Sequence, residues 1–222
     1  MTLQAEQNMV QKLLDSPRLS LYANQIQAVL NDERARRHAF YNQINEGDKA
    51  EFINGKIIFH SPVKLRHNAV MRRLLILITS YVQGLDLGFV GFEKIMVSLT
   101  RNDYEPDICF FNKETSEQFS PDQMRFPAPD FVVEVLSDST AKHDRGVKFD
   151  DYAAHGIKEY WIIDPVSEMV EQYQLQNDSY ALIIKAKTGQ LISLSVPGFV
   201  IPIRAIFDEA ENRSALQQIL AE

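Results

Sequence analysis

The sequence predicts an α/β fold, a mixed sheet with helices on both sides. Three observations carry this. Helical and strand-like periods alternate in the order helix, hairpin, helix, three strands, helix, strand and a closing meander. Two runs, residues 104–111 and 131–136, are apolar, rich in β-branched and aromatic residues, and bounded by turn residues, as buried strands are. Each run also contains one carboxylate, Asp107 or Glu134, a group that is almost never buried unless it is paired or binds a metal.

The elements follow in order. Residues 1–14 are mildly amphipathic and read as a short helix, which Ser16 and Pro17 break. Residues 20–44 carry a longer helical pattern that ends around Gly47, with Arg34, Arg36 and Arg37 as a solvated basic face. Residues 51–59 read as a hairpin, because Asn54-Gly55 supplies two positions that accept φ > 0. Residues 63–82 show the clearest helical spacing in the chain, with Val70, Leu74, Leu77, Ile78 and Tyr81 on one stripe. Strands are expected over 89–99, 104–111 and 131–136. The polar, proline-containing stretch 112–129 between the last two is long enough for a mobile edge or lid. A helix over 141–155, a strand over 159–165, a hairpin over 169–187, short strands at 191–196 and 199–203, and a helix over 208–220 complete the chain.

Composition narrows the function. A chain of 222 residues suits one large domain. The lone cysteine, Cys109, excludes an internal disulfide and a cysteine-based zinc cluster, and reads as a small buried hydrophobe. A net charge of −7 argues against a sequence-independent nucleic-acid coat, which is normally basic. Residues 1–10 hold no apolar run, and the longest apolar stretch, 74–78, is too short to span a bilayer. The expectation is a soluble cytoplasmic protein. No GxGxxG, P-loop or GxSxG pattern is present, so a nucleotide cofactor and a serine nucleophile are not expected.

The chemistry is expected at the two carboxylates. If their strands pair, Asp107 and Glu134 converge, and two hard oxygen ligands with room for water suit Mg²⁺, with Mn²⁺ as a substitute. Asp144, Lys148 and Tyr152 recur every four residues and share a helix face. A lysine there could orient a water or bind phosphate, although spacing alone favours an ordinary Asp144–Lys148 helix pair worth about 0.3–0.5 kcal/mol. The plain reading of Glu51 is a strand residue beside a turn, of His67 a capping or surface histidine, and of Tyr152 core packing with a wet hydroxyl. His60, His143 and His155 show no metal-ligand spacing.

Several motifs then act together: Pro106-Asp107; the run from Glu134 to Thr140; Asp144, Arg145, Gly146 and Lys148; Tyr152; the run from Gly156 to Trp161; the upstream Glu51 to Gly55; and His67. In combination they resemble the Uma-type (Uma-two) endonuclease family of the PD-(D/E)xK nuclease superfamily, over about residues 48–205. The resemblance implies a restriction-endonuclease-like core and Mg²⁺-dependent hydrolysis of phosphodiester bonds in DNA. It implies Asp107 and Glu134 as metal ligands with the Val135 carbonyl, Glu51 as an auxiliary acid, and His67 and Tyr152 as secondary site residues. The superfamily pattern has lysine two residues after the glutamate, where this chain has Leu136, and Lys148 is the migrated substitute. Duplex cutters of the superfamily often pair, which implies a homodimer. The expected organisation is a helical extension over 1–46, a nuclease-like α/β domain over 47–207, and a C-terminal helix over 208–222 packed on it. Two alternatives stay open: a catalytically silent module that keeps the nuclease fold, and a metal-dependent hydrolase of other phosphate esters.

Overall fold

A computed structural model describes residues 3–45 and 47–221. The parts of the expected terminal helices at Met1, Thr2 and Glu222, and the helix-ending turn at Glu46, lie outside the described residues.

Two helices open the chain, α1 (Leu3–Leu14) and α2 (Leu19–Gln43). The second ends earlier than its glycine suggests, because Ile44 is already extended (ψ 146°). The hairpin of β1 (Ala50–Ile53) and β2 (Lys56–Phe59) turns on Asn54 and Gly55 with φ of 49° and 76°, as the Asn-Gly pair requires. Helix α3 (Leu65–Gly84) follows. Next come β3 (Gly88–Phe92), β4 (Met96–Ser98), β5 (Asp103–Tyr104) and β6 (Ile108–Asn112), then a helical turn α4 (Lys113–Ser116), β7 (Arg125–Phe126) and β8 (Phe131–Val135). Helices α5 (Ala141–Asp144) and α6 (Val147–Ala154) lead to β9 (Glu159–Asp164), the hairpin β10 (Met169–Gln176) and β11 (Ser179–Ala186), the short β12 (Gln190–Ile192) and β13 (Val200–Pro202), and helices α7 (Arg204–Phe207) and α8 (Glu209–Ile219).

The expected mixed sheet is divided in two. Among the described residues a larger sheet runs β11-β10-β9-β8-β6-β3, with β8 and β9 parallel across the α5–α6 crossover and the other pairs antiparallel. A smaller sheet runs β2-β1-β5-β4-β7, and β12 pairs with β13 separately. Two strands expected to be continuous are cut at the boundary. Residues 89–99 divide at Glu93, which adopts φ 43°, into β3 of the larger sheet and β4 of the smaller. Residues 104–111 divide at Glu105-Pro106-Asp107 into β5 and β6. A proline has no N–H for a ladder, so the pairing lapses there.

Strand parity sorts the core. In β8, Phe131, Val133 and Val135 pack towards α3 and α8, with Ile108, Phe110, Trp161 and Ile163 from the neighbouring strands. Val132 faces the other side, with Cys109, Tyr160, Ile162 and Tyr152 of α6. Helices therefore cover both faces of the larger sheet, as the pattern predicts. Residues 112–129, read as a lid, are anchored: Phe119 and Phe126 pack edge-on against each other, and both contact Phe111. Of the α2 arginines, Arg34 and Arg36 are exposed as a solvated face would be, while Arg37 is not. Arg37 donates to both oxygens of buried Asp103 at 2.6 Å, Arg36 donates to the Gly55 carbonyl, and Arg101 forms a two-pronged pair with Glu33. These contacts dock the second half of α2 on the smaller sheet. No described helix is long and apolar enough to cross a membrane.

Candidate active site

The strand register brings the first two carboxylates together. Strands β6 and β8 pair with Ile108 opposite Val133, so one further step sets Asp107 opposite Glu134. Opposed residues share a face of a sheet, and parity turns Glu134 towards α6. Asp107 lies in the break beside Pro106 rather than inside a strand, and its Oδ2 accepts the Val135 N–H at 2.8 Å. The residue expected to offer its carbonyl thus meets Asp107 through its amide.

Lys148 and Tyr152, one turn apart on α6, reach Glu134 from the helix side. The Lys148 ammonium and the Tyr152 hydroxyl donate to Glu134 Oε1 at 2.9 and 3.0 Å. Tyr152 is fully buried, so its hydroxyl is dry rather than wet. Lys148 also lies 2.8 Å from Glu51 Oε1 and 3.3 Å from Asp144 Oδ1. The Asp144–Lys148 pair is therefore part of a buried cluster and not a solvated helix pair, although the helix breaks between its members at Gly146. Lys148 makes no ion pair with Asp107.

Glu51 comes from the smaller sheet. In β1, Ala50 and Phe52 pack with Phe40 and Met96, which leaves Glu51 on the opposite face, aimed between the sheets. Its Oε1 also accepts the Glu105 N–H at 2.9 Å, and Glu105 Oε2 accepts the Ala50 N–H at 3.1 Å. His67, near the start of α3, lies with Nε2 3.3 Å from Asp107 Oδ2.

Three neighbours are not expected at the site: Lys49 and Glu105 draw no reading from the sequence, and His60 lacks metal-ligand spacing. His60 Nε2 lies 3.2 Å from Glu51 Oε2, Lys49 Nζ lies 3.5 Å from Asp107 Oδ1, and Glu105 packs beside Glu51. Parity held a signal for two of them. Lys49 precedes Glu51 by two positions, as Glu105 precedes Asp107, and such residues fall on one side of an extended chain.

The carboxylates cannot all be charged in so small a volume, and their surroundings sort them. Burial pushes the Glu51 carboxyl up, but the Lys148 charge and the His60 contact outweigh it and hold it down at about 2. Burial likewise opposes ionisation of Asp107, yet His67, Lys49 and the Val135 amide keep it below the ordinary range. Glu134 is driven well above the ordinary range by burial, which Lys148 offsets only in part while Asp144, Asp107 and Glu51 add to the rise. Asp144 is raised for the same reasons, and Glu105 rises to about 7 through burial and the Glu51 charge. Burial works against the Lys148 ammonium, but Glu134, Glu51 and Asp144 hold it charged far above its usual value.

Asp107, Glu134, Lys148 and Lys49 line one cavity of about 30 Å³, room for a water or a single ion. It shares Ser61, Val63, His67, Ser137 and Ser139 with a cleft of about 540 Å³ that Lys64, Arg66, Asp138 and Asp164 also line, with Lys64 paired to Asp138. A hard divalent cation fits the donor chemistry. Glu134 Oε2 takes no hydrogen bond from the described residues, and Asp107 Oδ1 has only the loose Lys49 contact. No group of three or more His, Cys, Asp or Glu side chains is arranged for a metal among the described residues. The protein thus offers two oxygens, which matches the reliance of Mg²⁺ on water and phosphate for its remaining positions.

Residues 37–204 match the Uma2 family, whose description is "Putative restriction endonuclease". Two uncharacterized proteins of Synechocystis sp. are similar. One, slr1290, is 27% identical over 165 residues, covering 72% of this chain and 84% of that protein. The other, sll1609, is 29% identical over 144 residues, covering 61% and 77%. The crystal structure of "a putative nuclease belonging to DUF820" from Anabaena variabilis aligns with a TM-score of 0.65 over 80% of this chain and 96% of that one. At 20% identity that likeness speaks for the fold.

Proposed function

The chain belongs to the Uma2 family, and from that premise we propose that it is a metal-dependent endonuclease that hydrolyses phosphodiester bonds in DNA. One observation carries the reading: Asp107 and Glu134, from different segments, face one ion-sized cavity that shares its lining with a larger cleft. Asp107 and Glu134 would hold Mg²⁺ or Mn²⁺, which supplies charge neutralisation at the phosphoryl oxygens and a more acidic water. The chain's own residues prepare this. Val135 N–H and His67 fix the Asp107 carboxylate in direction and keep it ionised. Tyr152 and Lys148 grip one Glu134 oxygen and leave the other for a ligand. Glu51 anchors Lys148 from the opposite sheet. Burial leaves the Glu134 carboxyl well above the ordinary range even with Lys148 beside it, and a divalent cation at its free oxygen would lower it further.

The test is plasmid cleavage with Mg²⁺ or Mn²⁺ by the wild type, Asp107→Asn and Glu134→Gln. The expected result is cleavage by the wild type that both substitutions abolish and EDTA stops. Cleavage that persists unchanged in Glu134→Gln sinks the assignment. A second reading, a silent module with a nuclease fold, draws on one observation. The Lys148 ammonium is surrounded by three carboxylates and has no donor to spare for a substrate. On that reading the wild type binds DNA without cutting it.

A further inference from the structure

The cavity holds two lysines in opposite states. An ammonium has three N–H donors, and Lys148 faces three carboxylates at 2.8, 2.9 and 3.3 Å with a side chain 2% exposed. Offering a donor to a phosphate means abandoning one of those partners, which leaves a buried carboxylate uncompensated. Lys49, just before β1, lines the same cavity. Its ammonium makes no hydrogen bond among the described residues, and its one ion-pair contact is Asp107 Oδ1 at 3.5 Å. Its side chain is 23% exposed, so it is the cavity cation with donors available at the solvent-facing end.

The other polar groups there do not fill this need. His60 is turned to Glu51 and His67 to Asp107, while Ser61, Ser137 and Ser139 are neutral. A phosphate monoanion entering beside the ionised Asp107 meets like charge, which a cation able to turn towards it offsets. Lysine suits this as a compact charge on a flexible stem, and it is a regular phosphate ligand.

Resting on the phosphodiester reading above, we propose that Lys49 is the catalytic residue that holds a non-bridging oxygen of the scissile phosphate, while Lys148 is spent in holding the carboxylates.

The experiment uses the full chain as wild type, Lys49→Ala and Lys49→Arg. Cleavage of a 5′-fluorescein-labelled DNA oligonucleotide is followed with Mg²⁺, and binding of the same oligonucleotide is followed by anisotropy in EDTA at several salt concentrations. Lys49→Ala is expected to lower kcat/KM about 100-fold. It should weaken binding and reduce the slope of log Kd against log salt by about 1, the mark of one lost phosphate contact. Lys49→Arg should restore the slope. The melting temperature should move by less than about 2 °C, because a single loose, partly exposed ion pair is lost. A Lys49→Ala protein that cuts and binds within about threefold of wild type, with an unchanged slope, overturns the Lys49 assignment and leaves the nuclease reading intact. A wild type that neither binds nor cuts overturns both.

Discussion

Replacing Lys148 with methionine keeps an unbranched side chain one atom shorter and removes its charge. In the wild type the ammonium lies 2.8 Å from Glu51, 2.9 Å from Glu134 and 3.3 Å from Asp144, and all four groups are buried. Removing one partner of a buried pair costs about 3–5 kcal/mol, mostly as the penalty of the charge left behind. Glu134 and Asp144, already driven towards their protonated forms, adapt most easily; Glu51, held down at about 2, is the stranded charge. For a chain of this size each kcal/mol moves Tm by about 2–4 °C, so Tm should fall by roughly 6–20 °C. The loss should depend on pH. In the wild type, Glu51 is depressed from 4.5, so it contributes stability above that value and loses it as pH falls through about 2. Without Lys148, burial pushes Glu51 upward, and mild acid supplies the proton that relieves it. Thermal unfolding at pH 8 and pH 5 should therefore show the larger deficit at pH 8. A fall of less than about 2 °C, or a larger deficit at pH 5, refutes the view that Lys148 chiefly compensates buried carboxylates.

Two further predictions concern carboxylates away from the cavity. Glu171 is held at about 2, against the rise that burial brings, by hydrogen bonds from Arg145, Lys185 and Tyr173. Its contribution is present above its ordinary value of 4.5 and disappears as pH falls towards 2. With Arg145 and Lys185 partly exposed, screening limits it to about 1–2 kcal/mol, so Glu171→Gln should show that deficit by urea unfolding at pH 6 and a smaller one at pH 3.5. An equal deficit at both values contradicts the assignment. Glu159 accepts hydrogen bonds from Trp161 Nε1, Gln172 Nε2, the Ser193 hydroxyl and the amides of Leu194 and Ser195, all at 2.7–2.8 Å. Glu159→Ala should cost about 3 kcal/mol or more and accelerate hydrogen exchange at Leu194 and Ser195; unchanged exchange there shows that the segment is held by other contacts.

The sequence was most legible where one local rule governs an element. Asn54-Gly55 predicted its hairpin because few residue pairs accept that turn, and α3 was plain from its apolar stripe. It misled where local and tertiary demands diverge. Residues 104–111 have strand composition throughout, yet Pro106 withdraws a donor and the chain changes sheets within the run. Glu93 reads as an ordinary exposed residue, and only its positive φ reveals the matching break upstream. Asp107 and Glu134 stood out because a carboxylate in an apolar run conflicts with its surroundings. Lys49 sits among polar neighbours and His60 follows a strand beside a turn, where neither conflicts with its surroundings, so their roles became visible only once β1 and β2 were placed against β6. The Arg37–Asp103 pair was hidden for a related reason: charge on a long helix reads as solvated until its distant partner is known.

The order of the chain also sets when the centre is complete during synthesis. Glu51 belongs to one sheet, Glu134 to the other, and Asp107 lies at the seam, while Lys148 arrives only with the crossover that follows β8. A nascent chain that has emerged through Val135 contains Glu51, Asp107 and Glu134 but neither Lys148 nor β9, the parallel neighbour of β8. Until α6 is laid down, Glu51 and Glu134 have no charge to share. The centre is thus timed by the growth of the polypeptide, and a ribosome stalled before Lys148 presents an incomplete one.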